Sequence, residues 1–303
     1  MSDVPPTPSV PLTPPRRFGP LAGFWTSFRW GLRLTSGWKR LLLVSVIACG
    51  LAFLLGHFDV GEEHWDRPTD GYFDLWDLYD TSILKFLLPI VSLVIVSRGF
   101  SAEVSDRTLV YHLVRPISRT TLCLSRFLSG VVPAAFVSWL TLLSISWASG
   151  LDLPAEYWWS LPITATVCTL AVGSVYYAFS TLLRRGMIAA LIYTFVFEPL
   201  FSGQSGAMQK LSIMFHVRGV HHGLTDEVFE ERSPEVARAL APPDLFNFEA
   251  ISNWANPAAL LDIRDRIAYE TPLTASLTVA CITIALLAFT CWRVSQKDFP
   301  LKD

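Results

Sequence analysis

The chain has 303 residues, 51 % of them hydrophobic, with a formal net charge of −2 and a mean hydropathy of +0.41. That balance excludes the broad basic field that nucleic-acid binding needs. The apolar residues are gathered into long runs with the charges between them, and a run of roughly 20 suffices to cross about 30 Å of hydrocarbon.

Residues 1–20 hold seven prolines, Pro5, Pro6, Pro8, Pro11, Pro14, Pro15 and Pro20, and no apolar core, so they read as a disordered or polyproline-like tail rather than a signal peptide. Next, Leu21, Phe24, Trp25, Phe28 and Leu32 recur at helical spacing with Arg29 and Arg33 facing away, although Trp30 interrupts the polar face. This pattern predicts an amphipathic helix at the inner membrane interface.

Six apolar spans follow within a single body of residues 21–297, at about 41–55, 83–96, 127–148, 158–183, 187–201 and 273–292. In lipid each must be a helix, because no water is available to satisfy the backbone. The alternating pattern of a β-barrel is absent from these continuous runs. The expected fold is therefore an all-α polytopic membrane protein with six transmembrane helices.

Lys and Arg set the orientation. With the N-terminus inside, cytoplasmic segments hold Arg29, Arg33, Lys39 and Arg40, then Arg98, Arg107, Arg115, Arg119 and Arg126, then Arg184 and Arg185, and finally Arg293, Lys297 and Lys302. The first two outer loops and adjoining span ends hold only Arg67 and Lys85, and residues 57–82 are acidic, from Asp59 to Asp80. Both termini, including the tail 298–303, are expected in the cytoplasm of a cell that carries this protein in its plasma or inner membrane.

Segment 202–272 is expected outside. Its opening, Met208 to Val217, mixes apolar and polar residues and is expected to dip into the membrane or lie on it. Thr225–Leu240 reads as a solvated charged helix. His216, His221 and His222 are candidate ligands for copper, zinc or haem iron. Adjacent histidines rarely reach one metal together, so a solvated loop is the expectation and no metal is assigned.

The five cysteines, Cys49, Cys123, Cys168, Cys281 and Cys291, form no CxxC and no zinc spacing. Four fall in spans, and Cys123 falls in the segment placed in the cytoplasm. Trp38, Trp147, Tyr157, Trp158, Trp159 and Trp292 lie near span ends, as an aromatic belt requires. Glu198, followed by Pro199, is the clearest deep charge. An intramembrane carboxylate is by default a functional hypothesis: Glu198 either lines a substrate path, pairs with Lys85, or is hydrated near the outer interface.

The most specific stretch, EVSDRTLVYHLVRPISRTTLCLSR at Glu103–Arg126, lies in the cytoplasmic segment 99–126. Thr108 to Val114 can form a short helix with Leu109, Val110, Leu113 and Val114 on one side. Pro116 disfavours its continuation, and Ser118 or Thr120 can cap the helix that becomes the third span.

This segment resembles the type-2 ATP-binding-cassette exporter permeases, which show a Glu, a Gly-Thr-Leu-like step and an Arg-Pro-Ile/Val-Ser-Arg step before the third helix. Here those positions are Glu103, Thr108, Leu109, Arg115, Pro116, Ile117, Ser118 and Arg119, with Arg107 where a Gly is usual. The six-span plan, the N-terminal amphipathic helix and the long outer segment agree, so the resemblance covers about residues 20–297. It implies a membrane subunit that exports a substrate with ATP hydrolysed on a separate ABC ATPase. It also implies a homo- or heterodimer of permeases, and a coupling element at Glu103, Thr108, Leu109, Arg115, Pro116 and Arg119 that docks on the ATPase.

No glycine is followed by lysine, so the chain has no P-loop. ATP and magnesium are expected on the partner and no cofactor on this chain. Neither GxSxG nor HExxH occurs, so the chain is not expected to be an enzyme. An ATPase-coupled anchor or assembly factor doing mechanical work on the outer segment remains the alternative to transport. Nothing in the sequence fixes the substrate.

Overall fold

The computed structural model describes residues 20–35, 37–61, 68–97, 118–183, 185–202, 206–232 and 271–296. The proline-rich tail, Glu103, Thr108, Leu109, Arg115, Pro116 and the stretch 233–240 lie outside the described residues. Within them every regular element is helical: α1 (Pro20–Thr35), α2 (Trp38–Leu55), α3 (Pro68–Leu78), α4 (Leu88–Val96), α5 (Arg119–Ala148), α6 (Ala155–Leu182), α7 (Gly186–Ile192), α8 (Glu198–Ser202), α9 (Ile213–Arg232) and α10 (Pro272–Gln296).

Five helical stretches are long and apolar enough to cross a membrane: Lys39–Phe58, Gly71–Val96, Arg119–Ala148, Ala155–Leu182 and Pro272–Gln296. At 1.5 Å per residue, α5 and α6 extend about 45 and 42 Å, longer than the roughly 30 Å hydrocarbon core. The expected fifth span is helical over Gly186–Ser202 but reaches only about 25 Å. Five candidate spans and one shorter apolar helix thus stand where six spans are expected.

The second span starts well before residue 83. α3, a π-helical stretch (Tyr79–Leu87) and α4 follow one another without a gap. Polar Asp77, Asp80 and Lys85 break up the hydropathy there, and burial rather than composition keeps the segment in the bundle. Pro89 lacks an N–H for the carbonyl four residues earlier, which disfavours a regular α-turn just before it. A second π-helical stretch (Tyr193–Phe197) likewise precedes a proline, Pro199.

The core forms where α4, α5 and α6 meet. A Cβ on Gly130 would lie 3.3 Å from the Val96 Cα, and one on Gly173 would lie 3.4 Å from Val131 and 3.5 Å from Val96. Close backbone approach over small residues is how helices gain dispersion energy where lipid removes the hydrophobic drive. Hydroxyls then pin the contacts. Tyr177 donates to the Cys123 carbonyl at 2.8 Å, Ser144 to the Cys49 carbonyl at 2.8 Å, and Tyr79 to the Leu142 carbonyl at 3.1 Å. α6 is 72 % buried over its span window, whereas α2 and α10 are 17 % buried. Those two flank the bundle and leave faces such as Leu42, Val46, Ile47, Leu277 and Ile284 uncovered.

Three expectations change here. The helix of the third span starts before residue 127: α5 begins at Arg119, and Cys123 is fully buried within it. His216, His221 and His222 are not in a solvated loop, and Thr225–Arg232 is not a freely solvated helix: all belong to α9, where the three histidines, Thr225, Val228 and Phe229 are buried. Polar and apolar residues alternate along α9, so composition alone conceals that it packs against α6 and α10.

α1 exists as expected, but its buried face differs. Gly23, Ser27 and Gly31, at i, i+4 and i+8, lie inward, while Trp25 is 58 % exposed and Phe24, Phe28 and Leu32 are half-buried. Small residues admit α5, and the aromatics flank the contact. A Cβ on Gly31 would meet Arg126 Nη1 at 2.7 Å and the Ser129 side chain. Gly31→Leu is therefore expected to weaken α1 docking by about 1–3 kcal/mol, raising hydrogen exchange across residues 20–35. Gly50→Leu should leave that exchange unchanged, because no atom lies within 4 Å of a Cβ there.

Candidate functional site

Two polar clusters stand at opposite ends of the bundle. The first is at the start of α5. Ser118 caps this helix, its Oγ accepting from the Thr121 N–H at 3.1 Å, so of the two cap candidates Ser118 serves the backbone. Arg119 donates from Nη1 to the Ser295 carbonyl at 3.2 Å and so joins α5 to the end of α10. Two turns further, Arg126 is 1 % exposed and donates from Nη1 to the Ser27 carbonyl of α1 at 3.0 Å. Ser125 adds a hydroxyl bond to Ser27 at 2.8 Å. The helix that follows segment 99–118 is thus pinned to both α1 and α10 within its first two turns. Of the six residues singled out in that segment, Arg119 is described and sits in this knot; the other five lie outside the described residues.

The second cluster surrounds α9. Glu198 is 3 % exposed, and its Oε1 accepts from the Ser212 hydroxyl and the Met214 N–H, both at 2.6 Å. A carboxylate on the first N–H groups of a helix satisfies orphan donors and opposes the positive end of the helix dipole. Its hydrogen-bond partners are thus at the start of α9, and Pro199 lies within α8.

Along α9, Arg218, His222 and Asp226 recur every four residues and share one face. Arg218 Nη1 lies 3.0 Å from Asp80 Oδ2, and His222 Nε2 lies 3.2 Å from Asp80 Oδ1. His222 Nδ1 faces Asp226 Oδ1 at 3.0 Å, and the Trp76 indole N–H donates to the same oxygen at 3.1 Å. On the neighbouring face, His221 Nδ1 lies 3.1 Å from the Thr164 hydroxyl. Tyr79, next to Asp80, is bonded to Ser146 at 2.6 Å, and Ser146 lies 3.2 Å from the Tyr157 hydroxyl. Thr164 is nine residues into α6, about 14 Å from the α5–α6 turn, so this polar sector penetrates the bundle.

The two adjacent histidines are pushed in opposite directions. Burial by itself lowers His222, but hydrogen bonds to Asp226 and Asp80 and their charges outweigh it and raise the group to about 9. His221 is lowered to about 3 by burial and by the neighbouring His222 charge. At neutral pH one is a cation and the other is neutral. Among the described residues, no group of three or more His, Cys, Asp or Glu is arranged to hold a metal ion. The Arg218, His222, Asp226 spacing was legible in the sequence, but its partner Asp80 lies 138 residues from Arg218 and only the fold brings them together.

Removing the Glu198 carboxylate leaves the Met214 N–H unsatisfied in a buried site, at a cost of about 1–3 kcal/mol. Glu198→Ala is therefore expected to lower thermal stability in mild detergent, and Glu198→Gln, which keeps an acceptor oxygen, should lower it less. Equal melting temperatures for Glu198→Ala and the parent would show that α9 does not depend on this cap.

No curated protein matches the chain. A family model described as an ABC-2 family transporter protein matches residues 38–199, running from α2 through the start of α8 and so across the α4–α5–α6 core. That match covers more than half of the sequence and agrees with the bundle of apolar spans, and on it the chain belongs to the ABC-2 transporter family as a membrane permease.

Proposed function

We propose that this protein is the membrane-spanning subunit of an exporter driven by ATP hydrolysis on a separate ABC ATPase. The family as a whole implies such an ATPase. The observation that carries the reading for this chain is the knot at the start of α5. A push delivered through residues 99–118 enters α5 at Arg119, and the Arg119–Ser295 and Arg126–Ser27 bonds pass it to α10 and α1. Glu103, Thr108, Leu109, Arg115, Pro116 and Arg119 form the coupling surface in this reading. Permease subunits assemble as a homo- or heterodimer, which would place further apolar faces of the bundle in contact with a second subunit as well as with lipid.

Transport is favoured over a purely mechanical anchor by the packing of residues 206–232. α9 folds back into the bundle against α6 and α10, with His221 and Thr225 fully inside. A segment that serves as a docking arm for another protein would keep such groups in water. Glu198 acts on the substrate path in this reading by holding the start of α9.

The deciding experiment is extraction of the tagged chain in mild detergent, followed by a search for a P-loop protein that accompanies it. Arg115→Glu combined with Arg119→Glu is expected to leave insertion intact and release that ATPase. Retention of the ATPase together with normal transport in the double variant would remove the coupling assignment. A reporter fused after Asp303 is expected on the cytoplasmic side, and an external signal would reverse the proposed orientation.

A further inference from the structure

His222 has a carboxylate oxygen on each ring nitrogen, Asp80 Oδ1 at 3.2 Å from Nε2 and Asp226 Oδ1 at 3.0 Å from Nδ1. An ionised carboxylate only accepts, so both bonds are made together only by the doubly protonated imidazolium. Arg218 takes the other oxygen of Asp80 at 3.0 Å. Two cations and two carboxylates then balance, which is the condition under which charges persist in a buried site. The side chains of Asp80, Arg218 and His222 are 4 %, 4 % and 2 % exposed.

Three of the four groups belong to α9, and Asp80 belongs to the π-helical stretch after α3. The Nε2 proton of His222 is therefore a link between two separate elements. We propose that His222 is a proton-binding site that locks α9 onto Asp80, so that parting of α9 from the bundle is linked to release of one proton. This goes beyond the exporter reading and depends on neither the partner ATPase nor the substrate.

The direction follows from the two states. With α9 docked, His222 titrates at about 9 because Asp226 and Asp80 face it. With α9 apart from Asp80 it keeps only Asp226, four residues along the same helix, and in water such a pair counts for little, so it falls toward the ordinary value of about 6.5. The docked state binds the proton more tightly, so its advantage is complete below about 6.5 and is lost as pH rises through about 9. Over that window the opening constant rises by roughly tenfold per pH unit.

The other titratable groups on the elements packed around α9 are Asp70, Tyr72, Asp74 and Asp77 on α3, Tyr79 and Lys85 on the π-helical stretch, Glu156, Tyr157, Cys168, Tyr176 and Tyr177 on α6, Glu198 on α8 and Lys210 on the 3-10 turn (Gly206–Leu211). α9 itself adds His216, His221, Glu227, Glu230, Glu231 and Arg232, and α10 adds Cys281 and Cys291 but no charged residue before Arg293. His221, at about 3, stays neutral throughout this window.

The test uses the full chain in lipid nanodiscs. Hydrogen exchange of peptides within 213–232 is followed from pH 6 to pH 9 and corrected for the intrinsic pH dependence of amide exchange. The expected result is a corrected opening constant that climbs roughly tenfold per unit above about pH 7 in the parent protein and stays flat in His222→Gln. A flat parent profile, or the same climb in His222→Gln, overturns the proposal. Asp226→Asn retains the imidazole should His222→Gln fail to fold. Its climb must level off at lower pH, since one carboxylate no longer favours the imidazolium in the docked state, and an unmoved profile overturns the proposal equally.

Discussion

Asp80 is the constraint on which the α9 end of the bundle depends. A carboxylate that is 3 % exposed inside a membrane-crossing segment is tolerated only when cations surround it. That requirement fixes where α9 must lie, because Arg218 and His222 are separated by one helical turn and both have to reach the two oxygens of one side chain. It also constrains the chain on either side. Glu198 must meet the first N–H groups of α9 at its start, and halfway along a Cβ on Gly223 would collide with the Pro272 ring, so α9 and α10 sit close enough there that only glycine fits. Breaking one partner of such a buried pair typically costs about 3–5 kcal/mol, because the remaining charge is left without compensation.

The two ends of the bundle are built on different physics. At the α1 end, neutral carbonyls of Ser27 and Ser295 receive bonds from arginines, and small residues let α1 and α5 approach closely. Bonds from a guanidinium to carbonyls keep their form whatever the pH, because arginine does not titrate in proteins. They suit a joint that must transmit movement without coming apart. At the α9 end, attraction depends on four charges, one of them on a titrating imidazole. Between the two lies the glycine- and hydroxyl-packed contact of α4, α5 and α6, which gives a rigid middle against which either end can move.

The helical class, the apolar runs and the start of α5 were legible in the sequence because each depends on local pattern: hydropathy for the spans, and a serine ahead of Arg119 for the cap. The early start of the second span was hidden, because Asp77, Asp80 and Lys85 carry charge in a segment that is nonetheless folded into the bundle. The histidines of α9 were hidden for a related reason. Polar residues read as solvated unless their partners are known, and the partners of His221 and His222 include Thr164 and Asp80, 57 and 142 residues away. α1 was legible as a helix but not in its docking face, since hydropathy ranks Trp25 above Gly31 while packing reverses them.

The same reasoning explains why adjacent histidines can serve one helix without sharing a ligand. Successive residues on an α-helix point about 100° apart, so His221 turns to the α6 hydroxyl of Thr164 while His222 turns to Asp80 and Asp226. One ring lies where burial and a neighbouring cation disfavour charge, and the other lies where two carboxylates require it. Pushed apart in this way, the pair gives α9 one permanently neutral contact and one that carries a removable proton. That difference lets a single helix be packed firmly on α6 and yet be released from the rest of the bundle by the loss of one charge.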